Sequence, residues 1–118
     1  MDNNVEKLIN FSILEKEPRR IVVKLEVDPG LPSFNGHFPG RPVLPAVSII
    51  DISLHLVGKL GVSVSHSKIE MKRSKFTSIV KPGQTVLLAA ESGDGTNWEV
   101  LWVDENTAAK LARVLFVI

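Results

Sequence analysis

The sequence predicts an α+β domain in which one curved antiparallel sheet wraps a single central helix. Three observations carry this expectation. Ala46 to Leu60 is apolar over most of a helical circumference, through Val47, Ile49, Ile50, Ile52, Leu54, Leu56, Val57 and Leu60. A helix of that kind is buried rather than laid on a surface. From residue 66 onward the chain is a run of strand-like segments punctuated by turn residues, and strands gathered around one helix make an α+β architecture. With 118 residues the chain is expected to form one domain, 1–118, large enough to bury a core.

Lys7 to Leu14 reads as a first strand, and Ile21 to Val27 as a second, β-rich one. Asp28 to Pro45 holds five of the seven prolines and three of the eight glycines, too many for a regular element. Pro45 suits the first turn of the helix, where its missing N–H is no loss. Gly61 suits its end. Lys68 to Phe76 reads as the next strand, followed by a turn at Lys81-Pro82-Gly83. Thr85 to Glu91 and Asn97 to Val103 flank Gly93-Asp94-Gly95, a hairpin signal. Asp104-Glu105-Asn106 is a further turn, and Lys110 to Ile118 closes the chain as a strand.

Composition excludes several classes. Lys plus Arg number 14 against 13 Asp plus Glu, a net charge of +1, so charge gives no argument for nucleic acid as a partner. The absence of cysteine removes disulfides, thiolate catalysis and thiolate metal sites. His37, His55 and His66 have no metal-ligand spacing. The first residues lack a basic start and apolar run, and no stretch of 18 apolar residues exists. No membrane association is expected, and the default compartment is the cytoplasm.

Two features point to chemistry. The segment 28–45 places Phe34, His37 and Phe38 in a Pro/Gly-stiffened loop, and such loops are often functional. Asp51 follows one and a half turns into the helix between Ile50 and Ile52. An imidazole there has a pKa suited to proton transfer. A carboxyl in that apolar company, if buried, is expected to be raised and to act as an acid. The N–H groups of Ala46 and Val47, at the helix start, are suited to hold a carbonyl oxygen. Ser48, Asp51, His55 and Lys59 follow 3, 4, 4 spacing, a stripe roughly 80° wide. Taken without further context, a loop His and a helical Asp are more often capping or solvated polarity.

The string Gly36-His37-Phe38-Pro39-Gly40-Arg41-Pro42-Val43-Leu44-Pro45 resembles the signature of the 3-hydroxyacyl-acyl-carrier-protein dehydratases, a family with the hot-dog fold. In that family an acid stands 14 residues after the His, and here 51 − 37 = 14 brings Asp51 to that offset. The Asp form resembles the dehydratase/isomerase branch and the small aryl-polyene-type dehydratases. Lys81-Pro82-Gly83-Gln84 is similar to the family's Pro-Gly-Asp turn.

The resemblance implies dehydration of a (3R)-3-hydroxyacyl-carrier thioester to a trans-2-enoyl thioester, in fatty acid or polyene/polyketide biosynthesis, without a cofactor or metal. It implies His37 as the base at C2, Asp51 as the acid for the 3-hydroxyl, and the backbone of Ala46 and Val47 around the thioester oxygen. Phe34, Phe38 and Pro45 would line the acyl tunnel. It implies a homodimer or a higher assembly of dimers, with His and acid from different subunits, and an acyl carrier protein as partner. Lys68, Lys72, Arg73 and Lys75 form a basic run that suits an acidic carrier, though such a run is more often a solvated face. Two positions differ from the family pattern. Ala46 stands where Gly is usual, and His55 stands where Gln is common four residues after the acid; a neutral His55 suits an orienting role toward Asp51. Competing readings are a hot-dog acyl thioesterase and a non-catalytic acyl-binding partner subunit.

Overall fold

Alternation of side chains organises the central strands. In the computed structural model, which describes residues 10–30, 43–62 and 69–118, β1 (Asn10–Glu17), β2 (Arg20–Glu26), β3 (Glu70–Phe76), β4 (Thr85–Glu91), β5 (Asn97–Asp104) and β6 (Lys110–Val117) form one six-stranded sheet. The order is β1-β2-β4-β5-β6-β3, and every neighbouring pair is antiparallel. Every second residue of the central strands is buried: Ile21, Val23 and Leu25 on β2, Val86, Leu88 and Ala90 on β4, Trp98, Val100 and Trp102 on β5. That period places one apolar face of the sheet toward the one helix of the described residues, as the hot-dog expectation requires.

The helix, α1 (Ala46–Gly58), lies on that face and packs on β4 and β6. Ile49, Ile52, Leu54, Leu56 and Val57 enter the core. Trp102 Nε1–H donates to Ser53 Oγ at 2.9 Å, and Ser53 Oγ–H donates to the Ile49 carbonyl at 2.7 Å. Ser53 is fully buried, so these bonds satisfy a hydroxyl and an indole that would otherwise be left unpaired.

Several expectations need adjustment. β1 runs to Glu17 instead of ending at Leu14, because the Pro18-Arg19 turn zips Glu17 against Arg20. Its charged end is tolerable on an edge strand, where one side remains in water. α1 ends at Gly58, Lys59 is the C-cap, and Gly61 takes φ +80° beyond it. Pro45 is the N-cap rather than the first helical residue. The helix is not buried all round: Ala46, Val47, Asp51 and Lys59 are exposed, since the sheet covers one side of it.

Candidate active site

The start of α1 is built by Pro45, whose carbonyl accepts from the N–H groups of Ser48 (3.0 Å) and Ile49 (3.1 Å). The N–H groups of Ala46 and Val47 come before the first intrahelical bond, no side chain caps this end, and no acid occupies the first turn. Both residues are exposed and Pro45 is half-buried. Two N–H groups at the positive end of a helix dipole suit an oxygen that gains negative charge.

Asp51 stands on the outer stripe of the same helix, with His55 one turn further on. Burial, the condition on which the sequence made an acid of Asp51, is absent from the single chain: Asp51 is exposed. The reason is rotational. Ser53 is bonded into the sheet through Trp102, and two residues turn a helix by about 200°, so Asp51 is carried to the opposite side. His55 is half-buried and its ring stacks on Phe11 of β1, with centroids 6.1 Å apart and planes 27° from parallel. Lys59 Nζ lies 5.7 Å from the centroid of the same Phe11 ring, within cation–π range. The sequence reading missed Phe11. Its signal was register: pairing with Leu25 turns Phe11 to the helix side of the sheet.

His37, Phe34, Phe38 and Lys68 lie outside the described residues, as does the larger part of the Gly36–Pro45 string. The other basic residues of the run are on β3, which is exposed along its length. Lys72 sits at a bulge and pairs with Glu70 at 3.0 Å. Arg73 and Lys75 are opposite Leu115 and Arg113, on the face turned away from α1. Met71 and Phe76 face the helix side but remain 41% and 40% exposed, because α1 does not reach over this edge strand. Val47 and Ile79 are more exposed still, at 58% and 55%.

A concavity of about 710 Å³ between the β1–β2 turn and the β4–β5 hairpin contains none of the predicted residues. Its Arg20 is paired with Glu15 and Glu91, and its Arg19 donates to the Gly93 carbonyl. Among the described residues no group of His, Asp and Glu is placed to hold a metal ion, and no helix is long and apolar enough to cross a membrane.

Among the described residues, a helix laid on one face of a six-stranded antiparallel sheet of this order gives the architecture of a hot-dog protein. The model of the ApeI-like dehydratases (ApeI dehydratase) matches residues 13–111, and the chain belongs to that family. It is 30% identical over 95 residues to the 3-hydroxyacyl-[acyl-carrier-protein] dehydratase FabZ of Chlamydia trachomatis serovar L2, a match covering 74% of this chain and 60% of that protein. The chain thus spans less than two thirds of that relative. The corresponding FabZ of Chlamydia pneumoniae is 29% identical over 126 residues, covering 94% of this chain and 80% of that protein. Among solved structures, the dehydratase heterocomplex ApeI:P from Xenorhabdus doucetiae superposes with a TM-score of 0.71 at 20% identity, over 92% of this chain and 96% of that one. That likeness shows the fold.

Proposed function

We propose that the protein dehydrates (3R)-3-hydroxyacyl-carrier thioesters to trans-2-enoyl thioesters. The observation that carries the reading is the stretch from Pro45 to Asp51. An uncapped helix start and an outward carboxyl share one helix face, in a chain of a dehydratase family with His37 14 residues before the acid.

In this reading His37 removes the C2 proton while the Ala46 and Val47 N–H groups hold the thioester oxygen, where charge develops. The C3–O bond then breaks, and Asp51 gives its proton to the departing hydroxyl. The C2–C3 double bond forms and water leaves. Return of the proton from His37 to Asp51 restores both groups. His55 orients the Asp51 carboxyl, and Phe34, Phe38 and Pro45 line the acyl tunnel.

The protein acts as a homodimer, with each site combining His37 of one copy and Asp51 of the other. The exposed apolar residues Met71, Phe76, Val47 and Ile79 support this, as they leave apolar surface for a second copy to cover. Lys68, Lys72, Arg73 and Lys75 dock an acidic acyl carrier protein, by charge complementarity.

Incubation with a 3-hydroxyacyl and an enoyl carrier thioester tests the reaction. Loss or gain of water, read by absorbance and mass, is expected in both directions; release of free acid instead identifies a thioesterase, and neither identifies a non-catalytic partner. Mixing inactive His37→Ala and Asp51→Asn chains, with exchange verified by mass tags, tests the shared site. Half of the dimers become mixed with one intact site each, and activity returns to about a quarter of wild type. No recovery after verified exchange overturns the shared site.

A further inference from the structure

Phe11 joins edge strand β1 to the outer stripe of α1. Its place follows from register: paired with buried Leu25, it lies on the helix side of the sheet and packs against the core. Phe11 is half-buried there, whereas Ile13, next on that face and opposite buried Val23, is exposed. What sets Phe11 apart is its contact with the stripe. The His55 ring stacks on it with centroids 6.1 Å apart and 27° between the planes, within the range of offset aromatic pairs. Lys59 Nζ stands 5.7 Å from the same centroid, so one strand residue engages two successive turns of the helix.

Asp51 precedes His55 by four residues on that stripe. Side chains so spaced are neighbours, with Cβ atoms about 5–6 Å apart. Long helical side chains also lean toward the N-terminal turn, which for His55 is the turn of Asp51. An imidazole can hold a carboxyl only through a ring nitrogen, and both nitrogens lie at the ring edge, in its plane. The plane of the ring therefore decides what the nitrogens can address. A stacked aromatic ring covers one face of the imidazole, fixes that plane and leaves the edge to polar partners. An aliphatic side chain would cover the same surface without selecting a plane. The Lys59 cation adds to the hold, since it draws the Phe11 ring to the helix.

We propose that Phe11 is a positioning residue for the acid: it sets the plane of the His55 ring, and His55 in turn orients the Asp51 carboxyl. The proposal rests on reading Asp51 as the acid and His55 as its orienting partner, and it brings β1 into the site. A reacting group displaced by about 1 Å costs on the order of 10²-fold in rate. A carboxyl that is turned but still present should cost less, about 10-fold.

The test uses the full chain and turnover of a 3-hydroxyacyl carrier thioester, with titration of the Asp51 carboxyl, followed by carbon NMR, as a second readout. Phe11→Leu keeps an apolar side chain against the core and removes the flat face. The expected result is a kcat lowered about 10-fold with KM within about twofold. Phe11→Tyr, which keeps the ring, should hold kcat within about twofold of wild type. In a His55→Ala background Phe11→Leu should cost nothing further, since the residue it acts through is gone. The Asp51 titration should move in Phe11→Leu in the same direction as in His55→Ala, a change that a merely structural Phe11 would not bring. Where Phe11→Leu fails to fold, Phe11→Met, flexible and equally without a flat face, takes its place. Three results overturn the proposal and leave the acid reading standing: wild-type kcat in a folded variant that lacks the ring, a loss that adds in full to that of His55→Ala, or an Asp51 titration that moves in His55→Ala alone. Wild-type turnover by His55→Ala overturns the orienting role and the proposal with it. Wild-type turnover by Asp51→Asn overturns the acid reading itself.

Discussion

Ser53 and Asp51 stand two residues apart on one helix and have opposite fates. Ser53 is fully buried, with its oxygen accepting from Trp102 and its proton given to Ile49. Asp51 faces outward on the stripe shared with His55 and Lys59. The inner side of α1 holds the helix to the body of the sheet, whereas on the outer stripe His55 and Lys59 reach the sheet at Phe11 of edge strand β1 and Asp51 is exposed. Under the proposed function, stability and chemistry fall on different sides of one element, and substitutions on the two sides should register in different measurements.

The largest effect is expected on the inner side. Trp102→Ala removes the largest of the fully buried side chains together with the bond to Ser53, and should lower the unfolding free energy by about 3–5 kcal/mol, measured by denaturant titration. Asp51→Asn should do the reverse: turnover falls by about 10²-fold or more, while stability stays within about 0.5 kcal/mol. A loss of stability comparable to that of a core variant would break the division between the two sides. Ser53→Ala leaves the Trp102 Nε1–H buried without its acceptor and should cost about 1–3 kcal/mol; adding it to Trp102→Phe, which has no N–H to strand, should cost less than on the wild type. The smallest effect is expected at exposed Val47, where Val47→Ser in dilute protein should change stability by no more than about 0.5 kcal/mol. A larger loss that grows with protein concentration would sharpen the comparison, since it would mean that a second copy covers this part of the outer side.

The strands from β4 onward were legible in the sequence because hairpin residues bounded them and alternation filled them; the observed limits of β4 match the expected ones, and those of β5 and β6 differ by a residue at one end. α1 was legible as a helix, but its burial was overread. An apolar residue such as Val47 carries no mark that tells a position against the sheet from one outside it. Ser53 was passed over for the converse reason: a hydroxyl in an apolar run gives no sign of a partner, and its partner Trp102 lies 49 residues away. Asp51 was legible from its place between Ile50 and Ile52 and again from its offset from His37, while its exposure depended on the rotation that Ser53 imposes. Gln84 was legible only as part of a turn, because its bond to Asp104, 20 residues on, leaves no trace in the sequence.

The sheet order has a consequence for synthesis. Among the described strands β3 is third in chain order but pairs only with β6, the sixth, and α1 also rests partly on β6. Until residues 110–117 are available, β3 has no strand to pair with and the part of α1 that rests on β6 has no neighbour. A chain cut short before β6 is therefore expected to leave the apolar residues of β3 and α1 uncovered and open to aggregation.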